Sequence, residues 1–264
     1  SRGLGDVYKR QEPAFQGLLD SIVREQVASK DIRRLRVVEL TATSRSGAAR
    51  PFELDAEDAK NPTVAKRLSA KKNLRLHSCD DEKSVPDGMA RKALSYSESG
   101  AAVLVFTRRV ETADKIASDL RKKGCGVALL TGTMRGFERD RLASTDPVFV
   151  RFLPESSRPS EVTPATGTAY LVCTSAGEVG VNISADHLVC DLSPFDSMAQ
   201  RFGRVNRFGD GDANVDVFYP ASFDPKDLLS EQRSKTLRLL QQLDTVSPES
   251  LATLPEADRL AAFT

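Results

Sequence analysis

Arg201, Arg204 and Arg207 stand three residues apart in "SPFDSMAQRFGRVNRFG", Ser193 to Gly209. A guanidinium is a planar, permanently charged fork of N–H donors, and its chemical match is a carboxylate or a phosphate. Neighbouring cations on one helix repel and need an anion or solvent beside them. Few carboxylates are spaced to serve; only Asp196 lies one turn from Gln200. The plain alternative is a solvated face with ion pairs worth roughly 0–1 kcal/mol each. The sharper reading is a polyphosphate ligand. Upstream, "CTSAGEVGVNIS" (173–184) runs from an apolar segment into small residues with Gly177 and Gly180. In open α/β sheets, ligands sit beyond the carboxyl ends of strands, where glycine lets the backbone come close. The Thr174 hydroxyl stands at such an end, placed to meet a phosphate oxygen.

A helix over 194–208 is expected to carry the arginines. Ser193 is its cap, Pro194 its first residue, Asp196 completes a box-like Ser-x-x-Asp, and Gly209 is its stop. Met198, Phe202 and Val205 then share one face and Gln200, Arg204 and Arg207 nearly the opposite one, with Arg201 between the two. Elsewhere, "NLRLHS" at 73–78 and the more apolar stretches at 101–106, 126–130, 169–173, 187–192 and 215–219 predict strands, with a further strand at 148–153 and a loop over the rest of 144–168. Helical patterns fall at 87–97, 110–120 and 135–143 between them. Continuously apolar strands alternating with helices predict an α/β fold with a parallel sheet covered on both faces. Before it, a helical stripe from Glu12 leads to the strand "LRVVEL" (35–40), and residues 45–72 turn polar. After it, 224–243 reads as a charged helix.

The chain has 264 residues, with 38 Lys+Arg against 37 Asp+Glu. That balance argues against a tail-type nucleic-acid binder but leaves room for a local basic groove. No apolar run is long enough to span a bilayer, and a cytoplasmic protein with no membrane partner is expected. Cys79, Cys125, Cys173 and Cys190 form no CxxC pair, which predicts buried free thiols without a zinc site or disulfide. His77 and His187 adjoin strands and read as structural.

These motifs, in this order, resemble those of superfamily 2 helicases. "TSAGEVGVN" and "QRFGRVNR" are similar to motifs V and VI, "VLVFTRRVETADKIASDL" (103–120) to motif IV, "LLTGTMRGFERDRL" (129–142) to the nucleic-acid-contacting turn after it, and "TAT" (41–43) to motif III. Within the superfamily, "EVGVNISADHLVCDLSPFDSMAQRFGRVNR" looks most like the helicase-nuclease of type I CRISPR systems. The resemblance implies a RecA-like second lobe over 73–222, preceded by the tail of a first lobe at 12–50 and a linker at 51–72. A helical extension follows at 223–264, and residues 1–11 read as a non-native scar or a disordered terminus.

The resemblance also implies roles. Arg204 and Arg207 are arginine fingers on the γ-phosphoryl of ATP, and Gln200 positions the phosphate or the attacking water. Gly180 and Asn182 lie by the ribose; the family often carries Asp where Asn182 stands. Thr174, Thr131, Gly132 and Arg108 contact the nucleic-acid backbone, although Arg108 and Arg109 read equally well as a solvated helix start. Thr41, Ala42 and Thr43 couple the lobes. The implied cofactors are ATP and Mg2+. The implied partners are nucleic acid, DNA ahead of RNA, a first RecA-like lobe and a CRISPR effector complex. The sequence holds no G-x-x-x-x-G-K-[ST] phosphate loop and no D-E-x-H metal-binding strand. Mg2+ ligands are therefore expected in the other lobe, and this polypeptide alone is expected not to hydrolyse ATP at a useful rate. Also open at this stage are a non-catalytic nucleic-acid or partner-binding module and an unrelated phosphate-binding α/β enzyme.

Overall fold

The computed structural model describes residues 13–31, 35, 54–178 and 180–263. The chain divides into two units, Ser1–Ser44 and Arg45–Thr264. In the first, α1 (Pro13–Ala28) follows the apolar spacing after Glu12. Residues 1–11, the strand expected at 35–40 apart from Leu35, and Thr41, Ala42 and Thr43 lie outside the described residues.

The second unit runs α2 (Pro62–Leu68), β1 (Lys72–Cys79), α3 (Val85–Leu94), β2 (Ala102–Phe106), α4 (Val110–Lys122), β3 (Gly126–Leu130), α5 (Gly136–Thr145) and α6 (Pro147–Val150). It continues with β4 (Ala169–Cys173), β5 (His187–Asp191), α7 (Phe195–Phe202), β6 (Ala213–Pro220), α8 (Leu228–Leu240), α9 (Pro248–Ala252) and α10 (Glu256–Ala261). The six strands are parallel in the order β1-β6-β5-β2-β4-β3. Alternate side chains of each strand enter opposite cores. Val103, Val105, Tyr170, Val172 and Val189 pack with α3 and α4 through Met89, Ile116 and Leu120. Leu104, Phe106, Leu171, Leu188 and Cys190 pack with Met198 and Phe202 of α7 and Leu237 and Leu240 of α8. Cover on both faces is why these strands read as unbroken apolar runs rather than alternating ones.

The most deeply buried polar residue of these strands is in β6. Asp216 of β6 is fully buried, and its carboxylate accepts from Tyr96 Oη at 2.8 Å and pairs with His77 Nε2 at 2.7 Å. Burial alone would raise its pKa; the hydrogen bonds of His77 and Tyr96 outweigh that and hold it below the ordinary carboxylate value. His187 Nδ1 accepts from Asn214 N–H at 3.2 Å. Both histidines are thus satisfied structural groups, as read from the sequence.

Two expected elements differ. Residues 148–153 do not form a strand: the Asp146 carboxylate accepts from Val148 and Phe149 N–H, Pro147 opens the first turn, and the segment starts as α6. Phe149, Val150 and Phe152 are buried, so part of the expected 144–168 loop belongs to the core. The arginine helix is also shorter than the expected 194–208. α7 stops at Phe202, Gly203 is its C-cap, and Gly209 lies well past its end. Pro194 takes the N-cap position, and the buried Ser193 hydroxyl caps nothing.

Candidate nucleotide and nucleic-acid site

The carboxyl ends of β2, β3 and β4 lie side by side, with Phe106 and Leu130 both in register with Cys173. A threonine follows each strand. Thr107 N–H donates to Cys173 O at 2.9 Å and Thr174 N–H to Leu130 O at 3.1 Å, which continues the ladder one residue beyond the sheet. The Thr174 hydroxyl accepts from Gly132 N–H at 3.2 Å, and the Thr131 and Thr133 hydroxyls are 2.8 Å apart. Thr131, Gly132 and Thr174 therefore form one edge. Past Thr174 the chain turns back over the sheet at Gly177. A Cβ there would lie 3.0 Å from both the Cys173 sulfur and the Phe106 ring, a contact so tight that these side chains would have to give way.

Behind this loop lies a buried ion-pair lattice. Arg201 is 2% exposed. Its Nε donates to Glu178 Oε1 at 2.9 Å, and one Nη donates to Asp191 Oδ1 at 3.0 Å and to Asp191 O at 2.9 Å. Its guanidinium lies 5.2 Å from the centre of the Phe106 ring. Burial alone would make it less basic, but the two carboxylates reverse that and hold its pKa above the ordinary arginine value. The lattice extends outward. The other Asp191 carboxylate oxygen accepts from Arg108 N–H at 2.9 Å and Arg108 Nε at 3.3 Å. Arg108 also pairs with Glu82, and Glu82 with the buried Arg233 at 3.0 Å. The guanidinium of Arg108 is thus held by two carboxylates, while Arg201 is buried between Glu178 and Asp191.

Gln200 lies within α7, whereas Arg204 and Arg207 lie past its end and do not continue the expected helical stripe. After Gly203 the chain turns, with Asn206 at φ 40°. Arg204 Nη donates to the Glu178 carbonyl at 2.7 Å, and Arg207 Nη donates to Asn182 Oδ1 at 2.6 Å. Both arginines therefore reach the loop that leaves β4 and that also holds Gly180. Among the described residues, neither has a carboxylate partner. Arg204 Nε and Gln200 Oε1 are buried and unpartnered. Burial, then the charge of Arg207, lowers the pKa of Arg204. Two guanidiniums held only by neutral acceptors, beside two orphaned polar atoms, fit a multiply charged anion.

The turn is fixed from the far side. The ammonium of Lys72, 3% exposed, donates to Phe202 O at 2.8 Å, where a cation complements a helix C-terminus. Burial brings its pKa down to about 8. Asn206 Nδ2 donates to Lys71 O at 3.0 Å and also to Gly211 O, the Arg67 guanidinium lies 5.4 Å from the centre of the Phe208 ring, and Lys66 pairs with Asp210. Gly209, at φ 74°, presses so close to the Lys66 backbone that any Cβ would overlap it. The segment expected as a linker thus supplies the clamp on the arginine turn. Lys72, Asn206, Glu178, Asp191 and Thr107 went unassigned in the sequence reading. Only Asp191 carries a local signal, as a carboxylate closing an apolar strand.

Residues 99–210 match the family model described as CRISPR-associated nuclease/helicase Cas3, C-terminal. A curated relative, the putative CRISPR-associated nuclease/helicase Cas3 of Methanocaldococcus jannaschii, is 26% identical over 143 residues, covering 54% of this chain and 18% of its own length. Among solved structures, T. fusca Cas3 with AMPPNP has a TM-score of 0.57 at 16% identity, covering 77% of this chain and 25% of that one. A chain of a CRISPR RNA-guided surveillance complex described as pre-nicking also has a TM-score of 0.57 at 16% identity, covering 73% and 25%. The chain therefore spans a quarter or less of each relative's length. The fold is the RecA-like α/β lobe that the motifs implied, and residues 99–210 are similar to the C-terminal helicase domain that the family model describes.

Proposed function

We propose that this chain supplies the second RecA-like lobe of an ATP-dependent nucleic-acid helicase of CRISPR defence, with the triphosphate facing the turn after α7. The observation that carries this reading is the convergence of Arg204 and Arg207 on the 178–182 loop, with Arg204 Nε and Gln200 Oε1 left buried and unpartnered. In this reading the two guanidiniums offset charge developing on the γ-phosphoryl, an effect worth about 10³–10⁵ in rate. Gln200 orients a phosphate oxygen or water. Gly180 and Asn182 lie toward the ribose, and Asn182 also holds Arg207 in place. The first lobe provides the phosphate loop and the carboxylates for Mg2+, so this chain alone does not turn over ATP.

Thr131, Gly132 and Thr174 form the edge for the nucleic-acid backbone, a contact that is blind to sequence and sensitive to salt. Arg108, committed to Glu82 and Asp191, acts from behind by holding the strand ends. DNA ahead of RNA, a cytoplasmic setting and a CRISPR effector complex as partner follow from the resemblance. Among the described residues, no helix is long and apolar enough to cross a membrane.

The test is made in the longer helicase polypeptide. Arg204→Ala or Arg207→Ala lowers nucleic-acid-stimulated ATP hydrolysis by about 10³-fold or more and leaves oligonucleotide affinity within about twofold. Wild-type turnover in either variant would overturn the finger assignment.

A further inference from the structure

The helix that follows the Thr131–Gly132 turn carries an aromatic ring to which no role has been given. Phe137, in the first turn of α5, is 78% exposed, more than any other large apolar side chain among the described residues. It lies five residues past Gly132, at most about 17 Å along a fully extended chain. The turn between them is tightened by Met134 N–H donating to Thr131 O at 3.3 Å. On its far side, α5 is tied to the loop after β4 by Arg139, whose Nη donates to Ala176 O at 3.4 Å. Phe137 and Arg139 are about 200° apart on the helix, so the ring faces away from that tether and into solvent.

The charges around the ring suit a nucleic-acid strand. Arg141, one turn on, shares the face of Phe137, and Arg135 immediately precedes the helix. Both are exposed, and among the described residues neither pairs with a carboxylate. The nearby acids do not neutralise them: Glu138 accepts from Arg135 N–H at 2.9 Å in a capping role, and Asp140 lies to one side of the ring. The backbone at Gly132 is open, with nothing within 4 Å of where a Cβ would stand. An unpaired base offers a π-face to any exposed aromatic, and such a stack is worth about 1–3 kcal/mol per base whatever the sequence.

We infer that Phe137 is a stacking platform for one unpaired base of a single strand whose backbone lies along Gly132 and Thr174, with Arg135 and Arg141 against the flanking phosphates. This deepens the nucleic-acid reading above and rests on it. A base buried in a duplex presents only its edges, so the platform selects single strands over double strands.

The experiment uses the chain as it stands, binding a fluorescent oligothymidylate and the same backbone without bases. Phe137→Ala should weaken the oligothymidylate about 5- to 100-fold, Phe137→Trp should restore it, and both proteins should bind the base-free backbone like wild type. A 2-aminopurine strand should lose fluorescence on wild type and not on Phe137→Ala. Equal oligothymidylate affinity for wild type and Phe137→Ala overturns the platform but leaves the backbone edge standing. Equal weakening on the base-free strand also overturns it. If wild type binds neither strand, the edge itself is wrong and the platform falls with it. Because the side chain is exposed, an unchanged melting temperature shows that the variants are folded.

Discussion

Arg201 and Arg204 are three residues apart, yet their surroundings are opposites. Arg201 is enclosed, answered by Glu178 and Asp191, and stacked on Phe106. Arg204 is half-buried, meets only a carbonyl, keeps a buried Nε without a partner, and has the positive Arg207 nearby. One arginine is neutralised by the fold and the other is not. Removing the first takes the buried guanidinium away from Glu178 and from Asp191, which keeps Arg108 on its other oxygen, whereas removing the second relieves a repulsion. On the function proposed above, the lattice is the structural part of the motif and the turn the chemical part.

The largest stability effect should come from the lattice. Arg201→Ala is expected to cost about 3–5 kcal/mol in urea unfolding; a loss under about 1 kcal/mol would mean that the lattice does not hold the lobe together.

Next comes the clamp. The ordinary pKa of Lys72 is 10.5 and the folded value about 8. Between these, the unfolded chain binds more protons than the folded one, so stability rises with pH. Wild type should therefore gain about 1–3 kcal/mol over Lys72→Met between pH 8 and 10.5, a difference in which groups common to both proteins cancel. A flat difference would mean that the ammonium is not confined at Phe202.

Gly209→Ala should cost about 2 kcal/mol, from its positive φ and its contact with Lys66, and should lower hydrolysis by displacing the turn. Full activity with full stability would show that the clamp does not set the position of the arginines. The smallest effect should be that of Asn182→Ala, which removes one neutral acceptor from Arg207 and should change stability by only about 0.5–1.5 kcal/mol. A larger loss would put Arg207 on the structural side of the comparison.

The central strands β2, β4 and β5 were legible because burial on both faces writes itself as unbroken apolar runs, and the place of Arg201 between the polar and apolar faces followed from its angle on the helix. The end of α7 was not legible. Apolar spacing continues through Val205, but Gly203 ends the helix, and the residues that hold its end and the following turn, Lys72 and Lys71, are about 130 residues away in sequence. The sequence therefore named Arg204 and Arg207 together while misplacing the geometry that joins them: the loop after β4 does so, not a helical face. Residues 148–153 misled because Val-Phe-Val favours a strand, whereas Asp146 and Pro147 start a helix. The partners of Arg201, at 178 and 191, follow from tertiary pairing that no local pattern encodes.

The central claim is that Arg204 presents an uncommitted guanidinium fork to a triphosphate. Single-turnover ATP hydrolysis by Arg204→Lys in the longer helicase tests it most directly, since lysine keeps the charge and loses the fork. The account predicts a rate lowered by about 10²-fold or more in a protein that melts like wild type. A lysine variant hydrolysing at the wild-type rate would contradict it.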